Sequence, residues 1–247
     1  MEKSRLLPRG VDLNKKVGKE YFDTAFPHFF TGNIHAELVL VHLNPKRNES
    51  SWGIKWNEER KWSNFGEYWE HFAHFGEKHY GVDNPTHKSN FDHKQVRFLK
   101  PFDENHLFGF NEDKYHNLKV AIDKKLQLEL VPFGSPNFNY NEIGIENIEP
   151  FIERLIDLML EANRKYIIFC GRVFEEILSN FIVKKETHTF KLKKNNGNDT
   201  ENDFEIINIK LKHNNSEITA CIAPQFAKQG YPVGRYGEKV RELYGKF

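Results

Sequence analysis

Long apolar runs are missing from this chain, and so is any large excess of charge. No uninterrupted hydrophobic stretch approaches the roughly 18–20 residues that a membrane-spanning helix needs. The first twenty residues carry six Lys/Arg against three Asp/Glu, with no apolar block of the kind a secretory signal has. The expectation is a cytoplasmic protein without a membrane partner. Only two cysteines occur, Cys170 and Cys221, each inside an apolar run. Two thiols exclude a disulfide scaffold and cannot make a metal site alone, so both read as reduced, buried side chains. A net charge of +1 removes any global attraction to polyanions, and a nucleic-acid surface would have to be a local patch. There is no internal repeat. Neither a metal nor an organic cofactor is expected.

What is present is globular. Hydrophobic residues make up 38 % and charged residues 29 %, and 22 phenylalanines take much of the core role usually given to Leu and Val. A chain of 247 residues reads as one α/β domain over 1–247, long enough to bury a core without covalent staples. Four buried strands stand out: Glu37 to Leu43, Leu126 to Val131, Tyr166 to Cys170 and Ile218 to Ile222. Each stops at a Pro or Gly: Asn44-Pro45, Pro132, Gly171 and Ala223-Pro224. Runs apolar on successive residues argue for burial on both faces, as in a parallel sheet. Helical spacing follows at Ile148, Phe151, Ile152, Leu155, Ile156 and Met159, again at Val173 to Phe181, and at Tyr236 to Tyr244. This alternation predicts a three-layer α/β domain: a central parallel sheet of about four strands, helices on both faces, and a β-hairpin excursion.

The excursion is Thr187 to Leu192 and Phe204 to Leu211. They flank Lys193 to Asp203, which has no apolar side chain and reads as a mobile tip. Residues 1–20 read as a basic arm. Residues 52–116 read as an irregular, aromatic and His-rich insertion, with one helix near Phe65 to Phe75.

In open parallel sheets, ligands bind beyond the carboxyl ends of the strands. Those ends are His42-Leu43-Asn44-Pro45, Val131-Pro132-Phe133-Gly134-Ser135, Cys170-Gly171-Arg172 and Ala223-Pro224-Gln225-Phe226. Asn44 is either an oriented hydrogen bonder or an ordinary turn former. Taken in order, Leu-Asn-Pro, the Pro-ended second strand, Ile-Ile-Phe-Cys-Gly-Arg, Pro-Gln-Phe, a Gly-Tyr and a closing helix resemble the uracil-DNA glycosylase superfamily. The nearest branches are the mismatch-specific and single-strand-selective ones, whose first motif is Gly-(hydrophobic)-Asn-Pro-Gly. Tyr68-Trp69 is similar to the aromatic-Trp pair that follows that motif.

The resemblance implies an enzyme that flips a base out of the stack and cuts its glycosidic bond. On that model Asn44 would hold the attacking water, and His42 would supply a polar group beside it or be a buried strand-end histidine. Glu129 would read the base edge, with Phe133 and either Trp52 or Trp56 against the base. Gln225 and Phe226 would probe the vacated stack, while Lys228 and Arg235 touch phosphates. Two departures bear on the chemistry. The family's His-Pro-Ser motif is Ala223-Pro224-Gln225 here, so the imidazole that would stabilise a departing base is replaced by a methyl group. The glycines flanking the first motif are His42 and Lys46. An ionised Glu129 accepts hydrogen bonds but donates none, which does not match uracil. The expected partner is therefore nucleic acid bearing an unusual or damaged base; the alternative is a non-catalytic nucleic-acid or nucleotide-binding protein.

Other clusters fit packing better. Seven of the twelve histidines lie between His71 and His116, but no third ligand follows His71 and His74 at a metal-site spacing. From Lys228 to Arg241 four basic residues meet one acid, with Phe226 just before them and Tyr231 and Tyr236 among them, a mixture suited to nucleic acid.

Overall fold

The computed structural model describes residues 7–22, 27–45, 64–80, 89–135, 138–194, 197–225 and 231–247. Seven strands make one sheet: β1 (Phe30–Gly32), β2 (Leu38–His42), β3 (Leu126–Glu129), β4 (Tyr166–Cys170), β5 (Ile182–Phe190), β6 (Phe204–His213) and β7 (Ser216–Ala223). Their order is β1-β3-β2-β4-β7-β6-β5. The four strands expected from their Pro or Gly endings, β3, β2, β4 and β7, are mutually parallel and adjacent. The α/β class holds, but the sheet is a larger and mixed one. β1 adds to β3 antiparallel at one side, and β6 and β5 add antiparallel at the other.

The hairpin is therefore no excursion. β6 alternates Ile207, Ile209 and Leu211 into the core, all at 0 % exposure, so it pairs along β7 and lengthens the sheet instead of leaving it. The segment 193–203, expected as a mobile tip, holds a bridge between Lys193 and Asp199 and a buried Thr200. Leu192 N donates to Thr200 Oγ1 at 3.1 Å, and that hydroxyl donates to Asn202 O at 3.0 Å. A short polar side chain thus joins the two described flanks of the segment where no apolar one is present.

Nine α-helices lie among the described residues: α1 (Gly10–Val17), α2 (Phe65–Ala73), α3 (Phe75–Tyr80), α4 (Asn90–Leu99), α5 (Lys114–Asp123), α6 (Tyr140–Ile143), α7 (Ile145–Leu160), α8 (Phe174–Ile177) and α9 (Val233–Leu243). None is long and apolar enough to cross a membrane. The sheet buries both faces because β2, β4 and β7 alternate between two clusters. Val39, Val41, Ile167, Phe169 and Ile222 meet α7, α1 and α2; Leu38, Leu40, Ile168 and Cys221 meet α4, α5 and α9. Each fully buried Leu, Ile or Phe contributes roughly 1.5–3 kcal/mol before conformational entropy is subtracted.

The basic stretch read as an arm contains α1, which docks through Leu13 at 0 % exposure. Asn14 Oδ1 accepts from Tyr21 N and Phe22 N and fixes the chain beyond it. The segment read as an irregular insertion is mostly helical where described, carrying α2, α3, α4 and the start of α5. Its helices are short and rich in histidine and aromatics, which blurs the period in sequence. Tyr68 and Phe72 of α2 are wholly buried, and Tyr68 Oη accepts from Phe29 N at 2.6 Å and Phe30 N at 3.0 Å. Tyr68 is thus a core residue that pins β1.

Gly32 ends β1 at φ 92°, a region L side chains rarely adopt, and an added Cβ would lie 2.1 Å from Lys125 O. Alanine there forces backbone strain together with overpacking. We expect Gly32→Ala to cost about 3 kcal/mol or more, read as a large fall in urea midpoint.

Candidate functional site

β2 lies between β3, which follows it in the chain, and β4, which follows both. The connections therefore leave β2 and β4 in opposite directions, which makes the space beyond their carboxyl ends the topological switch point of the sheet. This is where open parallel sheets bind ligands. His42, Leu43 and Asn44 stand on one side of it, Cys170 and Gly171 on the other.

Asn44 is held by its amide nitrogen. Nδ2 donates to Pro45 O at 3.1 Å, to Phe133 O at 3.2 Å and to Ser135 Oγ at 2.8 Å. Two of these partners are carbonyl oxygens, which only accept, so the side-chain orientation is dictated by chemistry. Oδ1 receives no hydrogen bond from the described residues and is presented as an oriented acceptor. The support beneath it is rigid. Leu130 N donates to His42 O and Val131 N to Leu43 O, carrying the β2–β3 ladder past both strand ends, and Ser135 is 1 % exposed.

Gly171 follows β4 at φ 151°, open to glycine and few others. A Cβ there would come within 3.8 Å of Gln225 and 3.9 Å of Leu43, so these three residues meet at the strand ends. Gly171 N donates to Ala223 O at 2.8 Å, joining the ends of β4 and β7. Gln225 is exposed.

His42 and Glu129 face each other in register on β2 and β3, on the side covered by α4. The His42 ring meets the Phe91 ring edge-on at 5.6 Å. Burial, and secondarily the charge of Lys125, push the imidazole pKa down to about 3, so it is neutral at physiological pH. It can exchange hydrogen bonds but does not bring a positive charge. Glu129 is 8 % exposed, and its Oε1 accepts from Gln127 Nε2 at 2.9 Å.

The remaining sequence candidates divide. The Phe133 ring packs in the core on the opposite face from Glu129, at 4 % exposure; its carbonyl oxygen is the atom that meets Asn44. Trp52, Trp56, Phe226 and Lys228 lie outside the described residues. Arg235 sits in the first turn of α9, exposed, with no acidic partner among the described residues. The other two described basic residues of the stripe are paired: Lys239 with Glu242 at 2.5 Å, and Arg241 with Glu104. His71 packs edge-on against Phe72 and Phe75. No group of three His, Cys, Asp or Glu among the described residues could hold a metal ion. Neither protein-family models, curated proteins nor solved structures give a match to this chain.

Sequence reasoning missed Ser135, Lys125 and Gln127. Ser135 carried no signal beyond its place after a strand end. Lys125 and Gln127 did: Lys-Leu-Gln-Leu-Glu-Leu alternates strictly, and an alternating strand inside a parallel sheet must bury its polar half.

Proposed function

We propose that this chain is a divergent base glycosylase, taking an unusual or damaged base of DNA into the β2–β4 crevice and hydrolysing its bond to the sugar. The observation that carries this reading is the Asn44 carboxamide, clamped through Nδ2 with Oδ1 left as an acceptor at the topological switch point. An acceptor so held orients a water by taking one of its protons in a hydrogen bond, and turns a lone pair toward the sugar C1′ carbon. As the water oxygen bonds to C1′, the C1′–N bond breaks and the base leaves with the electron pair. The released water proton passes to solvent or to the departing base. Glu129 and the neutral His42 lie beside this point and offer hydrogen bonds to the base edge. Arg235 at the start of α9 suits a phosphate.

The absence of a donor at Ala223 narrows the substrate. A base that leaves as an anion needs stabilisation that a methyl group does not supply. Bases that leave readily, such as alkylated ones, fit this site better than uracil. The same alanine favours the second reading, in which the crevice binds a base or nucleotide without cutting it. Incubation with single- and double-stranded oligonucleotides carrying uracil, deaminated purines, alkylated bases or mismatches tests both. Release of free base, followed by chromatography, supports the glycosylase. Salt-dependent binding without release supports the second reading, and neither binding nor release removes nucleic acid from the account.

A further inference from the structure

One strand of the parallel core breaks the apolar pattern. On the face covered by α4 and α5, β2 presents Leu38 and Leu40, and β4 presents Tyr166 and Ile168. The corresponding positions are Gln127 and Glu129 of β3 and Lys125 just before it. Lys125 is 0 % exposed although it carries an ammonium group. An apolar side chain of similar volume would fill such a position without the desolvation cost of a charge, so packing alone does not call for a lysine. Its Nζ donates to Gln127 Oε1 at 3.3 Å, and Gln127 Nε2 donates to Glu129 Oε1 at 2.9 Å. An ammonium only donates and a carboxylate only accepts, so the carboxamide between them has one workable orientation.

We infer that Lys125 is a positioning residue of the strand-end site: through Gln127 it orients Glu129 as a hydrogen-bond acceptor, and that acceptor selects a guanine-type base. This rests on the proposal that Glu129 faces the base edge. A carboxylate is complementary to two N–H donors set side by side. Guanine offers such an edge in its ring N1–H and its exocyclic amino group. Hypoxanthine differs by lacking the amino group and keeps one donor beside a bare C–H. Uracil sets its ring N–H between two carbonyl oxygens, which a carboxylate repels.

The charged and titratable groups facing Lys125 are Asp92 of α4, Asp123 at the end of α5, Glu129 of β3, His42 of β2 and Cys170 of β4. Burial outweighs the attraction of the three carboxylates and brings the ammonium pKa down to about 8. The relay therefore loses its charge just above physiological pH.

The test uses short single-stranded oligonucleotides with a central 2′-fluoroarabino nucleoside, which resists cleavage, carrying guanine or hypoxanthine. Fluorescence anisotropy reads affinity. The wild type is expected to prefer guanine by about tenfold at pH 7, with the preference weakening as pH rises through about 8. Lys125→Met should keep the fold and melting temperature but reduce the preference to under about twofold at every pH. Gln127→Met, which cuts the relay and leaves the charge, should do the same and serves if Lys125→Met does not fold. Glu129→Gln, adding a donor, should abolish the preference. Binding and base release with no guanine preference, or with one that survives both relay variants, would overturn this inference and leave the glycosylase reading standing. Wild-type protein that neither binds nor cleaves any oligonucleotide overturns both, and does so before any variant is made.

Discussion

Asn44→Ala should slow base release by about 100-fold or more while changing oligonucleotide affinity little. An acceptor that orients the attacking water acts in the transition state, so its loss lowers turnover far more than binding. Asn44 also ties the 133–135 loop through Nδ2, and alanine removes that latch as well. Ser135→Ala separates the two roles. It deletes the 2.8 Å bond to Nδ2 and leaves Oδ1 untouched. A cost of about 1 kcal/mol in stability is expected, with release slowed only about threefold by a looser carboxamide. Asn44→Asp should not rescue, because its second carboxylate oxygen would oppose the carbonyl oxygens of Pro45 and Phe133. Single-turnover release and urea melts on the three variants check the whole set. Equal slowing by Ser135→Ala and Asn44→Ala would reduce Asn44 to a latch.

Folding stability should fall steeply as pH is lowered from about 6.5 toward about 3, with His42 at the centre of the effect. Between those values the unfolded chain binds a proton on this imidazole and the folded chain does not. The unfolded state therefore holds more protons, and stability rises with pH across the window and is lost on acidification. The slope from this one group is about 1.4 kcal/mol per pH unit. His42→Leu places on β2 the side chain that already packs at Leu40, and should flatten the limb. The difference between wild type and variant isolates the imidazole from carboxylates that titrate lower. Lys125 has the same sign in another window: stability should rise between about pH 8 and 10.5, where the unfolded lysine holds a proton that the buried one has released. Urea denaturation from pH 3.5 to 10 checks both limbs. A variant limb as steep as wild type would remove His42 from the account of acid sensitivity.

The parallel core could be read from sequence because four apolar runs each stopped at Pro or Gly. What could not be read was which polar alternations join the sheet. Phe204 to Leu211 and Leu126 to Val131 both alternate, yet in sequence the first reads as a hairpin excursion and the second as a buried strand. Both lie within the sheet, and tertiary neighbours decide the fate of their polar halves: Asn208 of β6 is wholly buried and donates to Leu243 O and Lys246 O, while Glu129 of β3 is buried and accepts from Gln127. The helices of 64–123 were obscured because their core-facing residues include Tyr68, Gln95 and Asn117 among the apolar ones. Strand-end position was enough to single out Asn44, His42, Glu129 and Gln225 as candidates. The face each occupies is not visible in sequence, and Phe133 in fact turns its ring into the core.

Photo-crosslinking tests the central claim most directly, that the crevice between the ends of β2 and β4 takes a base. An oligonucleotide carrying one photoreactive base is irradiated with the full chain, and the modified peptides are mapped by mass spectrometry. The account predicts crosslinks within 42–45, 129–135, 170–172 and 223–225, suppressed by competing unlabelled oligonucleotide. Crosslinks confined to α1, to the β5 edge or to the opposite ends of the strands would contradict it, as would the absence of any specific crosslink.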